Sequence, residues 1–483
     1  MNIKEKTIKG VLGLGTYKGI GQAFTWIFFI MLARILDPED FGLMALSIFF
    51  INFFNFIGEF GLSSALIQKQ DLDDVEINSS FWFMAFFNGA MYVIIFALSY
   101  PIGMFYNNEK LAILIQVLGI NFVITSFRII PLCLLAKQLE FVKGARADFY
   151  SNVVSSILMY VLALLGFGVW SLIAGSILQN IFSTALMYYY CPWWPRPVFQ
   201  FHKIKKMLSF GMSVNASKIL LYLSDNSDNL IVGKVLGEKS LGFYNMSFVL
   251  GTMPIKKTGA IIYHIIFPVF SQLQNDGAML RRYFLKTNKY IALFAFPTTI
   301  GLLMISDSFV TVVLGEKWIS MVLPLKILCG IGVMKAMSIT LTPLLYSKGK
   351  ANLILKFSLF SALILPIAFY AGARFGITGV AIAWVIVYPL IFFPLLRFTL
   401  KEEGLSFYDY AANLSDSVMG TICMVAMVAL FQYTASTNDY IQLIGSCFIG
   451  LLSYSIVLLF ISKETVSEFR NTLFSLRKRE IRT

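Results

Sequence analysis

The sequence predicts an all-α integral membrane protein of about 14 transmembrane helices, arranged as two six-helix lobes related by a parallel internal repeat plus two extra helices. Three observations carry that expectation. Of the 483 residues, 58% are hydrophobic and only 13% are charged, whereas globular chains hold about 45–50% apolar and about 25% charged residues. Apolar stretches of about 20 residues, enough to cross about 30 Å of hydrocarbon, follow one another along the whole chain. A motif beginning at Ala33 returns 200 residues later. So little polar surface cannot cover a water-soluble domain of this size. Disorder is excluded too, since it needs low hydrophobicity.

In order, the expected spans are 11–36, 41–67, 79–105, 111–136, 148–166, 169–190, 207–233, 241–270, 290–314, 319–346, 351–373, 376–396, 412–433 and 441–461. The first follows Lys4, Lys6 and Lys9 and is too long for a signal-peptide core, with no small-residue cleavage site behind it, so it reads as a retained span. Only the Phe167-Gly168 turn parts the fifth from the sixth. The longest polar stretches are 192–206, 271–289, 397–411 and the tail from Ser462, and none is large enough for a soluble catalytic domain.

Lys and Arg set the orientation, because cytoplasmic loops carry their excess. With the N-terminus inside, most of the 39 basic residues fall on inner segments, including Lys69, Lys137, Arg196, Lys203, Arg281, Lys348, Lys350, Arg397, Lys401 and those of the tail. The outer ends hold only Arg34, Lys110, Lys234, Lys239, Lys317 and Arg374. Both termini are therefore expected in the cytoplasm. One inner loop, Asp71 to Glu76, is acidic, but acidic residues contribute little to the rule. The placement of the net charge of +13 points to membrane topology and leaves an anionic substrate open, and nucleic acid is not expected as a partner.

The repeat sets Ala33-Arg34-Ile35-Leu36-Asp37-Pro38-Glu39-Asp40-Phe41-Gly42 against Gly233-Lys234-Val235-Leu236-Gly237-Glu238-Lys239-Ser240-Leu241-Gly242. Ser47 and Ser247 continue the register, and Phe167-Gly168-Val169 is echoed by Phe375-Gly376-Ile377. Six spans per repeat is an even number, so both halves enter the membrane in the same sense, and their interface is the expected place for a substrate site. The domain division that follows is 1–200, 201–400 and 401–483.

Charges inside spans cost several kcal/mol by insertion scales and usually face a bundle interior or an aqueous cavity. The basic candidates for a cationic cavity are Lys18, Lys218, Lys256, Lys257, Arg128 and Lys335; the acidic candidates for ion coupling are Glu59, Asp225 and Asp228. Lys18 and Lys218 stand at equivalent repeat positions and either line a central cavity or snorkel independently. Lys256 and Lys257 follow Pro254, about 100° apart on a helix, so at least one turns inward. Arg128 is open to either reading, and Lys326 lies near the outer end of its helix. Asp225 and Asp228 either neutralise Lys218 as an internal relay or bind a coupling proton or sodium ion.

No P-loop, HExxH or GxSxG occurs, and two histidines, His202 and His264, leave histidine-based catalysis little to work with. The five cysteines lie in or beside apolar runs without a CxxC and read as core residues. Neither an enzyme nor a cofactor site is expected.

Leu223-Ser224-Asp225-Asn226-Ser227-Asp228-Asn229-Leu230-Ile231-Val232-Gly233-Lys234-Val235-Leu236-Gly237, followed by Leu241-Gly242-Phe243-Tyr244-Asn245, resembles spans 7 and 8 of bacterial polysaccharide flippases. Residues 33–42, Gly61 to Gln68 and Phe267 to Gln274 carry the same resemblance, nearest to the Wzx type that includes the colanic-acid exporter. These belong to the multidrug/oligosaccharidyl-lipid/polysaccharide exporter superfamily. The resemblance implies two lobes around a central cavity with two appended helices. It also implies movement of an undecaprenyl-pyrophosphate-linked oligosaccharide from the inner to the outer leaflet by alternating access, in exopolysaccharide or lipopolysaccharide biosynthesis. Membrane lipids and polysaccharide polymerase or assembly proteins would be its partners. A drug/cation antiporter and a lipid-linked peptidoglycan precursor flippase are the rival readings within the superfamily. A membrane polymerase is disfavoured because no large outer loop exists.

Overall fold

The computed structural model describes residues 3–58, 62, 66, 69, 71–138, 140–434 and 438–461, with the side chains of 3–16, 18, 58, 206, 207, 209–218, 253–265 and 461 outside the description. Every regular element among the described residues is a helix. The first six are α1 (Ile3–Ile35), α2 (Pro38–Gly58), α3 (Asp74–Tyr106), α4 (Glu109–Lys137), α5 (Phe141–Leu164) and α6 (Val169–Tyr190). The long run α7 (Phe201–Gln272) bends at Gly237, whose φ of 82° only glycine adopts without strain, into arms 201–236 and 238–272. Then come α8 (Gly277–Phe309), a π turn (Val310–Leu314), a 3-10 turn (Glu316–Met321), α9 (Val322–Ser338) and α10 (Leu341–Ser347). The chain closes with α11 (Ala351–Ala373), α12 (Gly376–Glu402), α13 (Phe407–Thr434) and α14 (Asp439–Ile461).

Eleven helical segments among the described residues are long and apolar enough to cross a membrane, and a shorter apolar helix covers Gly19–Ile35. The protein is a multi-pass membrane protein. Hydropathy locates the spans but clips their ends. The polar stretch expected at 271–289 contracts because α8 already begins at Gly277, where the Asp276 carboxylate accepts from the Met279 N–H at 3.0 Å. The stretch expected at 397–411 contracts likewise, with α12 running to Glu402 and α13 starting at Phe407. Apolar residues stop at the hydrocarbon edge, whereas backbone hydrogen bonding continues until a cap ends it. At α3 that cap is a reciprocal box: the Asp73 carboxylate accepts from the Glu76 N–H at 2.6 Å, and the Glu76 carboxylate from the Asp73 N–H at 3.3 Å.

Packing divides the chain into two compact units, Met1–Asn245 and Met246–Thr483. The first arm of α7 therefore packs within the N-terminal unit, whereas the sequence predicts a boundary at residue 200. Tyr222 on that arm stacks on Phe49 with ring centroids 5.4 Å apart and donates its hydroxyl to the Phe49 carbonyl at 3.0 Å. The two copies of the repeated motif also meet there. A Cβ on Gly42 would overlap the Glu238 carbonyl oxygen, and one on Gly242 would overlap the Pro38 carbonyl oxygen. Each contact is the other shifted by the 200-residue repeat, so the two segments touch reciprocally.

The first motif anchors the Phe167-Gly168 turn as well. The Asp40 carboxylate accepts from the Val169 N–H at 2.9 Å, placing a negative charge at the N-terminus of α6. Gly168, with φ 55°, lies against that carboxylate.

In the C-terminal unit the core is built from α7, α8, α9, α10, α12 and α13, with Phe270, Leu280, Phe284, Leu341, Leu396 and Tyr410 among its buried members. At its centre Asn288, fully buried, accepts at Oδ1 from Thr340 at 3.0 Å and from Tyr410 at 3.2 Å. The outermost helices are held by similar bonds: Tyr454 on α14 donates to the Leu293 carbonyl at 2.8 Å, and Gln432 on α13 to the Met304 carbonyl at 3.0 Å. An apolar groove of about 490 Å³ runs between α13 and α14, lined by residues such as Met427, Phe448 and Leu452.

Candidate functional site

The N-terminal unit buries an acid at the end of its most polar run. Asp228 is fully buried. Its Oδ2 accepts from the Tyr244 hydroxyl at 2.7 Å and its Oδ1 from the Asn229 N–H at 2.8 Å. Tyr244 lies beyond the Gly237 bend, so this bond ties one arm of α7 to the other, and Asn245 repeats the link by donating to Asn229 Oδ1 at 3.3 Å. Asp225, one turn earlier, is exposed. The two acids therefore differ in burial, Asp228 enclosed and Asp225 exposed.

Arg128 on α4 meets Asp148 on α5 at 2.7 Å, and Ser183 on α6 donates to the same carboxylate oxygen at 3.0 Å. The Arg128 Nε is buried with no hydrogen-bond partner among the described residues. The same four-helix region carries other interhelical polar contacts, with Asn180 donating to Asn121 at 3.1 Å and Asn152 to Thr25 at 3.0 Å. Such bonds join helices in hydrocarbon, where apolar surface alone gives no preference for helix over lipid.

Lys335 on α9 occupies a different environment, in the C-terminal unit. Its ammonium lies 4.0 Å from the ring centroid of Trp384, 5.0 Å from Phe248 and 5.4 Å from Tyr388. Trp384 is fully buried, and the Tyr388 hydroxyl donates to Ser338 at 3.1 Å, which fixes the wall of the cage. Aromatic faces attract a cation by about 0.5–2 kcal/mol each, more as water is excluded. The three rings thus hold the Lys335 side chain among apolar helices.

Charged residues near the helix ends are mostly paired. Lys203 meets Asp73 at 2.7 Å and Arg196 meets Asp74 at 3.5 Å. Lys69 pairs with Glu76. The acidic loop that stood out in the sequence is thus the counterpart of the basic 192–206 loop, and both lie on one side of the unit. The Lys203 hydrogen bond, aided by the Glu76 N–H, holds the Asp73 carboxyl below its ordinary range, and the same contact raises Lys203. In the C-terminal unit Lys348 meets Glu403 at 2.6 Å, Lys350 meets Glu402 at 3.2 Å and Lys289 meets Asp416 at 2.7 Å. Lys326 pairs with Asp307 at 2.6 Å.

Of the residues expected at a site, Glu59 and the side chains of Lys18, Lys218, Lys256 and Lys257 lie outside the described residues. Arg128 and Lys335 are each brought to partners the sequence reading omits: Asp148 in one case, Phe248, Trp384 and Tyr388 in the other. Asp148 stands at the very edge drawn for the fifth span, where a charge reads as interfacial. The cage rings come from two separate stretches, Phe248 on α7 and Trp384 with Tyr388 one turn apart on α12, in a chain with 46 Phe, 22 Tyr and 7 Trp, so no spacing links them to Lys335.

The chain matches the model of the polysaccharide biosynthesis protein family over residues 31–323. It is 29% identical over 430 residues to the lipopolysaccharide biosynthesis protein WzxC of Escherichia coli (strain K12), covering 86% of this chain and 85% of that protein. It is 28% identical over 388 residues to the teichuronic acid biosynthesis protein TuaB of Bacillus subtilis (strain 168), covering 79% and 78%. Its fold is similar to a solved structure of the lipid II flippase MurJ in an inward closed conformation, with a TM-score of 0.73 at 13% identity over 94% of this chain and 99% of that one. An all-helical, multi-pass chain with these matches, as its likeness to Wzx-type flippases anticipates, belongs to the polysaccharide biosynthesis protein family.

Proposed function

We propose that this protein is a flippase that carries an undecaprenyl-pyrophosphate-linked oligosaccharide from the inner to the outer leaflet of the bacterial cytoplasmic membrane by alternating access, performing no covalent chemistry. Family membership supports the class of transport. The structural observation that carries the substrate chemistry is Lys335, whose ammonium lies among the rings of Phe248, Trp384 and Tyr388 inside apolar helices. A caged cation favours an anionic ligand such as pyrophosphate, with which charge-assisted hydrogen bonds are strong. The same observation disfavours the drug/cation antiporter, whose cavity would present carboxylates.

The reading includes fourteen spans, counting α1 and each arm of α7 as one, and both termini in the cytoplasm. It includes lobes 1–200 and 201–400 related by the repeat, for which the reciprocal Gly42–Glu238 and Gly242–Pro38 contacts are the support. Lys18, Lys218, Lys256, Lys257 and Arg128 join Lys335 as candidate contacts to the substrate. Asp225, exposed, Asp228, buried, and Glu59 are the candidates for a coupling proton or sodium ion. Polymerase and assembly proteins of the same pathway would receive the product.

The test is transport of a fluorescent undecaprenyl-pyrophosphate-linked oligosaccharide in proteoliposomes containing the full chain. Delivery to the opposite leaflet, slowed at least tenfold by Lys335→Gln and restored by Lys335→Arg, is expected. Transport of an organic cation but not of the lipid-linked sugar would overturn the proposal. The orientation is checked separately, by labelling single cysteines in the 192–206 loop: reaction from outside the cell would invert the topology.

A further inference from the structure

Near the end of α12, Arg397 and Lys401 line one open cavity of about 480 Å³ together with Phe393, Pro394 and Phe398. This is within the range of small-molecule sites, about 300–1,000 Å³. Residues 393, 397 and 401 follow one another at i, i+4 spacing and form a single stripe, and all five lining residues are exposed. One wall is fixed from the neighbouring helix, where Phe357 meets Phe398 edge-on at 6.1 Å.

Neither cation has an ion-pair partner among the described residues. The acids next in sequence are already taken, Glu402 by Lys350 and Glu403 by Lys348. Two like charges one turn apart repel each other, and the negative end of the helix offsets only part of that. A solvated pair of cations needs no aromatic walls, whereas a ligand with a negative head and an apolar body needs both.

Depth identifies the ligand. Along α12, Arg397 lies about 32 Å from Gly376 at 1.5 Å per residue, and the hydrocarbon core is about 30 Å thick. If Gly376 marks one boundary, Arg397 reaches the phosphates of the other leaflet and Lys401 stands one turn beyond. We propose that this cavity binds the phosphate of an anionic glycerophospholipid, with Arg397 and Lys401 holding the headgroup and Phe393 and Phe398 lying along the upper methylenes of its acyl chains. The undecaprenyl pyrophosphate of the proposed substrate shares the phosphate chemistry, and two cations match its charge as well, so the test measures both lipids side by side. The site is proposed apart from that substrate and does not depend on it.

The test is native mass spectrometry of the purified full chain, released from mixed micelles containing phosphatidylglycerol, phosphatidylcholine and undecaprenyl pyrophosphate. Each cation near an anionic lipid surface is worth about fivefold in binding. The wild type is expected to retain phosphatidylglycerol over phosphatidylcholine, and Arg397→Gln/Lys401→Gln to lose roughly 10- to 30-fold of that retention. Arg397→Lys/Lys401→Arg keeps it. Lys110→Gln, an exposed lysine elsewhere, leaves it unchanged. Equal phosphatidylglycerol retention in wild type and the double Gln variant would overturn the proposal. So would a double variant that loses undecaprenyl pyrophosphate while keeping phosphatidylglycerol.

Discussion

Replacing Gly42 or Gly242 with Ala tests whether the two copies of the motif share one contact. An added Cβ meets a backbone carbonyl oxygen in both cases, Glu238 for Gly42 and Pro38 for Gly242. A side chain can rotate away from such a clash, but a helix backbone cannot, so the two segments must separate. Overpacking of this kind costs about 1–3 kcal/mol. In a helix interior Ala otherwise gains about 0.5–1 kcal/mol over Gly, and Gly89, with open space around it, supplies that control. The two clashes lie at one crossing, so the separation that relieves the first relieves much of the second. Gly42→Ala/Gly242→Ala should therefore cost less than the two single variants together, with an interaction of roughly 1–2 kcal/mol. Thermal unfolding of the purified chain in detergent, together with a denaturant series, gives all four corners of the cycle. Strict additivity, or no loss in either single variant, would refute the shared contact.

Three further outcomes are expected. Asp73 is held below its ordinary range by Lys203 and the Glu76 N–H. Its contribution is therefore complete above the unfolded value near 3.8 and lost as pH falls through the lower folded value; melting curves of Asp73→Asn should fall below wild type at pH 7 and converge with it below pH 4. Asp416→Asn alone should destabilise by about 1–3 kcal/mol by removing the carboxylate that meets half-buried Lys289, and Lys289→Gln/Asp416→Asn should recover most of the loss. Trp384→Leu should weaken transport about as much as Lys335→Gln does if the cage serves the ammonium; full transport in the Trp384 variant, measured beside its melting temperature, would reduce the cage to packing.

The helices were legible because the solvent of a membrane protein enforces one simple pattern: every span must be apolar and long. Their ends were not, since Asp276 and Asp73 terminate helices by hydrogen bonding, which hydropathy ignores. Among site residues, a charge inside an apolar run is visible in the sequence, so Arg128, Asp228 and Lys335 could be picked out. Their partners could not, because Asp148 sits at a helix edge and Tyr244 lies across the bend at Gly237. The acidic loop carried a signal that charge counting discarded: Asp73, Asp74 and Glu76 are there to meet Lys203, Arg196 and Lys69.

The meeting of Gly42 with Glu238 and of Gly242 with Pro38 has the form of an interface between identical surfaces, each partner giving the contact it receives. A chain that carried only one copy of the motif would make the same contact with a second molecule of itself. Gene duplication and fusion would then convert a homodimer into a single polypeptide without inventing any new surface. The junction would retain an ancestral symmetry even after the flanking residues, Asp37-Pro38 on one side and Gly237-Glu238 on the other, had diverged. A gene split near residue 200 and expressed as two fragments would ask the halves to find each other again through that inherited contact.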